Sequence, residues 1–175
     1  VYIIRHAESE KNVINVFSDD KNKYPLTKKG LSQAKQAAKK IKDLKIDVII
    51  SSEILRSKQT AEIIASELKL ELKSDARLNE INPGQLQDES DSDKNNSKIL
   101  HDWQNQEIYQ FPGGESLAQV EERMFSLWKD INKNYQGKNI LLVSHGDNIR
   151  ILAGKLLGLK RENFFNNKKK FYFTP

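Results

Sequence analysis

The sequence predicts an α/β protein, a three-layer sandwich in which a mainly parallel central sheet is flanked by helices. Short apolar runs recur at Val1-Tyr2-Ile3-Ile4, Asp47-Val48-Ile49-Ile50-Ser51 and Asn139-Ile140-Leu141-Leu142-Val143, as strands covered on both faces do. Segments with helical apolar spacing stand between them, and strands alternating with helices argue a parallel sheet. Two of the strands run out into histidine, at Arg5-His6 and at Ser144-His145-Gly146. In an open α/β sheet, ligands bind in the crevice beyond the carboxyl ends of the strands, so two histidines are expected to face each other there.

Taken in order, Val1 to Ile4 reads as a buried strand. Lys11 to Phe17 has the makings of a short helical turn, and Ser18 to Lys23 is a polar loop. Thr27 is placed to cap a helix over 28–44, whose inner face carries Leu31, Ala34, Ala38 and Ile41. After the strand 47–51, Ser52 is the expected cap of a helix reaching about Leu70, with Ala61, Ile64, Ala65 and Leu68 inward. That puts Arg56 in a first helical turn directly after a strand end. Leu70 to Ser74 is a short third strand, and Arg77-Leu78-Asn79-Glu80 leads into a turn at Pro83-Gly84.

From Gln85 to Gln110 the chain turns polar and is expected to be a solvated loop. Asp91, Asp93 and Asn95 alternate as calcium ligands do, but Asn96 stands where the loop needs glycine and Asp102 where it needs glutamate. A long helix then opens at Ser116, with Gln119 at capping-box spacing. Its apolar stripe is Leu117, Val120, Met124, Leu127, Trp128, Ile131 and Tyr135. A last helix is expected from about Asp147, and a closing strand at Phe171-Tyr172-Phe173. No repeat or linker interrupts the pattern, so residues 1–175 read as one domain with a small cap contributed by about 81–112.

The chain of 175 residues has 37% hydrophobic and 30% charged residues and a net charge of +5. Much of the excess lies on one predicted helix (Lys28, Lys29, Lys35, Lys39, Lys40, Lys42) and near the end (Lys168, Lys169, Lys170). Without interleaved aromatics or a DNA-binding motif, these are solvated faces rather than a nucleic-acid surface. No apolar run approaches the roughly 20 residues that span a bilayer, and no signal peptide is visible at the start, which is Val1 rather than methionine. The absence of cysteine excludes disulfides and thiolate chemistry. A cytoplasmic protein with a small-molecule partner, and neither a nucleic acid nor a membrane, is the expectation; oligomeric state is not written in these features.

Arg5, His6, Asn12, Arg56, Glu80, His145 and Gly146 all fall at the expected crevice. Two arginines, two histidines and one carboxylate point to a phosphomonoester. A guanidinium fork matches phosphate oxygens bidentately, and the free N–H groups of a helix starting at Gly146 favour an anion. A neutral imidazole can attack phosphorus and split one hard step into two. Glu80 is the candidate acid for the leaving alkoxide. Glu8 is read as orienting the first corner and Glu115 as holding the start of its helix. Arg150 is read as structural and His101 as a surface residue.

Arg5-His6-Ala7-Glu8 with Asn12 resembles the R-H-G/A-E-x-x-x-N signature of the histidine phosphatase superfamily, the phosphoglycerate-mutase-like proteins. Further blocks follow in the same order: Pro25-Leu26-Thr27 with Gly30, Gln33 and Ala34; Ser51-Ser52 with Leu55, Arg56, Ser57, Gln59, Thr60 and Ala61; Leu78 with Glu80; Gly113-Gly114-Glu115-Ser116; and Ser144-His145-Gly146. The resemblance implies His6 as the phosphorylated nucleophile and Arg5, Arg56 and His145 as the phosphate pocket. Asn12 and the Gly146 backbone would add hydrogen bonds, and Glu80 would be acid and then base. It implies no metal and no cofactor. One departure is Gln85-Leu86-Gln87 after Gly84, where the family often carries a Trp-Glu pair. The absence of arginine between Arg77 and Arg123 favours a phosphatase. A phosphoglycerate mutase is the alternative, and a non-catalytic phosphate-binding module a third.

Overall fold

A computed structural model of the chain describes residues 1–106 and 108–165. Its sheet has four strands, β1 (Tyr2–Arg5), β2 (Val48–Ser51), β3 (Leu72–Ser74) and β4 (Ile140–Ser144), in the order β1-β4-β2-β3. Every pairing is parallel. The helices are α1 (Glu10–Ile14), α2 (Lys28–Ile41), α3 (Leu55–Leu68), α4 (Lys94–Gln104), α5 (Leu117–Asn134) and α6 (Gly146–Leu156).

Side chains alternate across the sheet, and the two faces fill with different helices. Ile49, Leu141 and Val143 pack with Ala38, Ala61 and Ile64 of α2 and α3. Ile50, Ile140 and Leu142 pack with Val120, Met124, Ile131 and Ile151 of α5 and α6. The chirality of parallel crossovers explains the division. The chain moves across the sheet in one direction from β1 through β2 to β3, then reverses to insert β4 between β1 and β2. Connections of one hand therefore leave α2 and α3 on one face and α5 on the other.

Several expectations need correction. The first strand is an edge strand, with Tyr2 and Arg5 exposed, because β4 covers only one of its sides. The helix expected over 28–44 ends at Ile41 and closes as a 3₁₀ turn, Lys42–Leu44, with Lys45 left-handed. The third strand starts at Leu72, since Lys69 and Leu70 bond back to the carbonyls of Ser66 and Ala65. Ser52 is not the helix cap: α3 is preceded by Ile54, and the Ser52 hydroxyl accepts from the Ile54 N–H at 3.1 Å.

The largest departure lies in the stretch expected as a solvated loop. Asp93 caps α4 by accepting from the N–H groups of Asn95 and Asn96, and Ile99, Leu100 and Trp103 turn inward. Trp103 is fully buried, stacks on Phe111 at 4.9 Å and donates its indole N–H to the Glu115 carbonyl at 2.9 Å. The strand expected at Phe171–Phe173 lies outside the described residues.

Candidate active site

The first histidine is positioned by the sheet itself. Arg5 pairs with Ser144 across β1 and β4, and the His6 N–H donates to the Ser144 carbonyl at 2.9 Å. His6 and His145 thus leave neighbouring strands one step beyond the last rung. Their rings stand 5.2 Å apart, centroid to centroid, and both are buried.

The corner after His6 is pinned from two sides. The Ala7 N–H donates to Thr60 Oγ1 at 3.0 Å, and the Glu8 carboxylate accepts from Thr27 Oγ1 and Lys29 Nζ, each at 2.8 Å. Gly30 of α2 lies so close beneath that a Cβ there would sit 1.9 Å from the Glu8 carbonyl oxygen. Glu8 therefore orients the corner, as its place in the motif suggests.

His6 Nδ1 is 2.7 Å from the Ala7 carbonyl, which can only accept, so Nδ1 carries the ring proton. Nε2 is then a bare lone pair, and Arg56 Nε donates to it at 3.2 Å. Burial, with the charges of His145 and Arg56, holds the His6 imidazolium well below its ordinary pKa. This imidazole stays neutral and nucleophilic at neutral pH.

Arg56 enters from the first turn of α3 and is fully buried. Its NH2 donates to the Ser18 carbonyl at 3.0 Å and lies 3.5 Å from Glu80 Oε2, while NH1 has no partner among the described residues. A buried guanidinium with an unshared N–H is a donor suited to an anion. Arg5 runs across the start of α6, where a Cβ on Gly146 would stand 3.7 Å from its Cδ and Nε. The backbone N–H groups opening α6 and the Arg5 fork thus share one mouth.

Glu80 is set by the far face of the sheet. The Leu78 carbonyl accepts from Ser144 Oγ at 2.8 Å, and Asn148 Nδ2 donates to the carbonyls of Leu78 and Asn79. Arg123 of α5 donates to the Arg77 carbonyl at 2.7 Å. These ties put Glu80 Oε2 3.5 Å from His145 Nδ1. His145 is likewise held well below its ordinary pKa, by burial first and then by Arg56 and Lys11.

Asn12 is nearby in a different duty: its amide oxygen accepts from the N–H and hydroxyl of Ser9 at 3.0 Å, closing the first turn of α1. Only its Nδ2 is available to an anion. The Glu115 carboxylate accepts from Arg123 of α5 and from the Asn82 N–H, so it ties the start of that helix to the stretch after Glu80. Arg150 pairs with Asp147 at 3.2 Å and His101 is exposed, as expected.

Three contributors escape the sequence reading. Lys11, on α1, feels the charges of Glu80, Arg56 and Arg5, and burial lowers its pKa. Ser52 and Asn79 form a hydrogen-bonded chain behind His145. Lys11 stands inside the first motif and was legible there as a cation one residue before Asn12; Ser52 and Asn79 needed the strand order. Among the described residues no group of three histidine, cysteine, aspartate or glutamate side chains is arranged to hold a metal ion.

The model of the histidine phosphatase superfamily, branch 1, matches residues 1–170. The chain belongs to that superfamily. A protein of Escherichia fergusonii named probable phosphoglycerate mutase GpmB is 36% identical over 164 residues, 91% of this chain and 75% of that one. The alpha-ribazole phosphatase of Shigella flexneri superposes with a TM-score of 0.80 at 27% identity, covering 94% of this chain and 82% of that one. A mycobacterial glucosyl-3-phosphoglycerate phosphatase, solved with VO3, gives 0.81 at 25% identity and covers 93% and 83%. The superfamily member described here is thus an enzyme of the phosphatase or mutase type on a phosphoglycerate-mutase-like fold.

Proposed function

We propose that the protein is a metal-independent phosphomonoester hydrolase working through a phosphohistidine on His6. The observation that carries this is the His6 Nε2 lone pair, fixed by the Ala7 carbonyl and aimed among Arg56 and His145. Phosphoryl transfer asks the protein mainly for positioning and charge stabilisation. Arg5, Arg56, His145, the Asn12 amide and the Gly146 N–H would hold the three equatorial oxygens. His6 Nε2 attacks phosphorus and the bond to the leaving oxygen breaks. Protonated Glu80 gives its proton to that oxygen. Water then attacks the phosphohistidine with Glu80 as base, releasing phosphate and restoring the imidazole.

Hydrolysis is favoured over mutase turnover by the stretch 81–112. A mutase must hold the carboxylate of a phosphorylated acid. This stretch holds no arginine, and one of its two lysines, Lys98, is committed to Asp102 at 2.6 Å. The mutase reading has two supports, the name of the 36%-identical relative and the Lys11 ammonium near the site. The substrate is a small phosphorylated metabolite, met in the cytoplasm, without nucleic acid or membrane.

Phosphate release from a panel of phosphomonoesters, set beside mutase turnover with bisphosphoglycerate, separates the readings. Phosphatase turnover should dominate, and His6→Ala should abolish it while leaving the circular dichroism spectrum unchanged. Mutase turnover far above phosphatase turnover would reverse the assignment, and full activity in His6→Ala would remove the nucleophile.

A further inference from the structure

Behind His145 runs a chain of hydrogen bonds whose direction can be read end to end. The Glu53 N–H donates to Asn79 Oδ1 at 2.8 Å, and Asn79 Nδ2 faces Glu53 Oε2 at 3.4 Å. The amide is therefore oriented, with its oxygen towards Ser52. Ser52 has one hydroxyl proton, and it goes to Asn79 Oδ1 at 3.0 Å. Its lone pairs accept from the Ile54 N–H at 3.1 Å and from His145 Nε2 at 2.9 Å. His145 Nε2 must then be the donor. Ser52 and His145 are both fully buried, and the bond between them is closed to solvent.

The consequence falls on the other ring nitrogen. A neutral imidazole has one proton, and Ser52 claims it. His145 Nδ1 is left bare, buried and without a hydrogen-bond partner among the described residues, 3.5 Å from an oxygen of Glu80. Any anion entering the pocket would meet a lone pair where a donor is needed. Cations dominate the protein groups around this ring: Arg5 from β1, Lys11 from α1, Arg56 from α3 and Arg123 from α5, with His6 beside it. Glu80 faces it at 3.5 Å, and Asp147, two residues further on, adds an acidic group among Glu80, Lys11 and Arg5. The balance keeps a second proton out, and a dianion reverses it.

We propose that Ser52 and Asn79 are positioning residues that fix His145 as the Nε2–H tautomer, so that binding a phosphoryl dianion draws one proton from solvent onto Nδ1. The resulting imidazolium donates Nδ1–H to the anion, and the proton returns to solvent when the anion leaves. The inference rests on the reading of this pocket as phosphoryl-binding. Affinity for a dianion then rises as pH falls, about tenfold per pH unit for one coupled proton.

Sulfate is the probe, because it stays a dianion throughout the neutral range and contributes no proton of its own. The chain has three histidines, so ¹⁵N-histidine labelling with His101→Asn and His6→Asn for assignment resolves every ring. Without sulfate, His6 should show Nδ1–H and His145 the opposite tautomer, Nε2–H. With sulfate, both nitrogens of His145 should be protonated near neutral pH. Ser52→Ala should let His145 populate the Nδ1–H tautomer and flatten the pH dependence of sulfate affinity, and Ser52→Thr should restore both. A His145 ring found as Nδ1–H without ligand, or neutral with sulfate bound, overturns the proposal, as does a Ser52→Ala protein with wild-type tautomer and pH slope. Sulfate that perturbs neither His6 nor His145, in a protein without phosphatase turnover, would instead remove the phosphoryl pocket and this inference with it.

Discussion

Replacing Arg56 with methionine should silence the enzyme while leaving it almost as stable as before. The guanidinium makes two hydrogen bonds, to His6 Nε2 at 3.2 Å and to the Ser18 carbonyl at 3.0 Å, and a looser 3.5 Å contact with Glu80. Removing it strands two buried acceptors, at about 1–3 kcal/mol each. The same change releases a fully buried cation whose NH1 has no partner among the described residues, and the desolvation it relieves is several kcal/mol. The opposing terms leave the variant within about 2 kcal/mol of wild type in urea unfolding. Loss of one preorganised charged donor lowers kcat by about 10²- to 10³-fold. Sulfate at a hundredfold its Kd should stabilise wild type by about 2.7 kcal/mol and the variant far less at the same concentration. A variant destabilised by more than about 4 kcal/mol, yet still stabilised by sulfate like wild type, would show Arg56 to be a structural cation, and the pocket argument would fail.

Lowering pH should destabilise the empty protein beginning near pH 6.5, the ordinary histidine value. Both site histidines are held below that value by burial, so the unfolded chain binds more protons and stability rises with pH, by up to about 2.7 kcal/mol per unit for two groups; urea midpoints across pH 5 to 7 measure it, and a flat profile contradicts it. Lys11→Gln should lower kcat/KM about tenfold for phosphomonoesters whose alcohol carries a carboxylate, and much less for p-nitrophenyl phosphate; an equal loss on both would assign Lys11 to the phosphoryl group instead. Gly30→Ala should cost about 3 kcal/mol or more, because its Cβ would overlap the Glu8 carbonyl, and kcat should fall with it as the corner carrying His6 shifts. Thermal melts and steady-state rates on the purified variant test both halves.

The layered fold and most of the site were legible because each signal was local. Strand ends, helix spacing and the arginine, histidine and glutamate at those ends are read within a few residues. What stayed hidden depends on pairings between distant segments. Ser52 looked like a helix cap, and only the neighbouring placement of β2 and β4 makes it the partner of His145. The helix around Trp103 was masked by polar neighbours, since α4 needs only Ile99, Leu100 and Trp103 on its buried side. Asn12 matched the motif, yet its oxygen serves Ser9, a duty that becomes visible only with the geometry of the turn.

The rung joining His6 to the Ser144 carbonyl has a further consequence for how such an enzyme can diversify. The spacing of the two imidazoles is inherited from main-chain pairing, whose repeat no side-chain replacement alters. Deleting or inserting a single residue in β1 or β4 would swing one ring to the opposite side of the sheet, whereas the polar stretch carrying α4 hangs from loops and touches neither strand end through the ladder. Chains built this way are free to exchange that polar stretch while the two imidazoles stay in register.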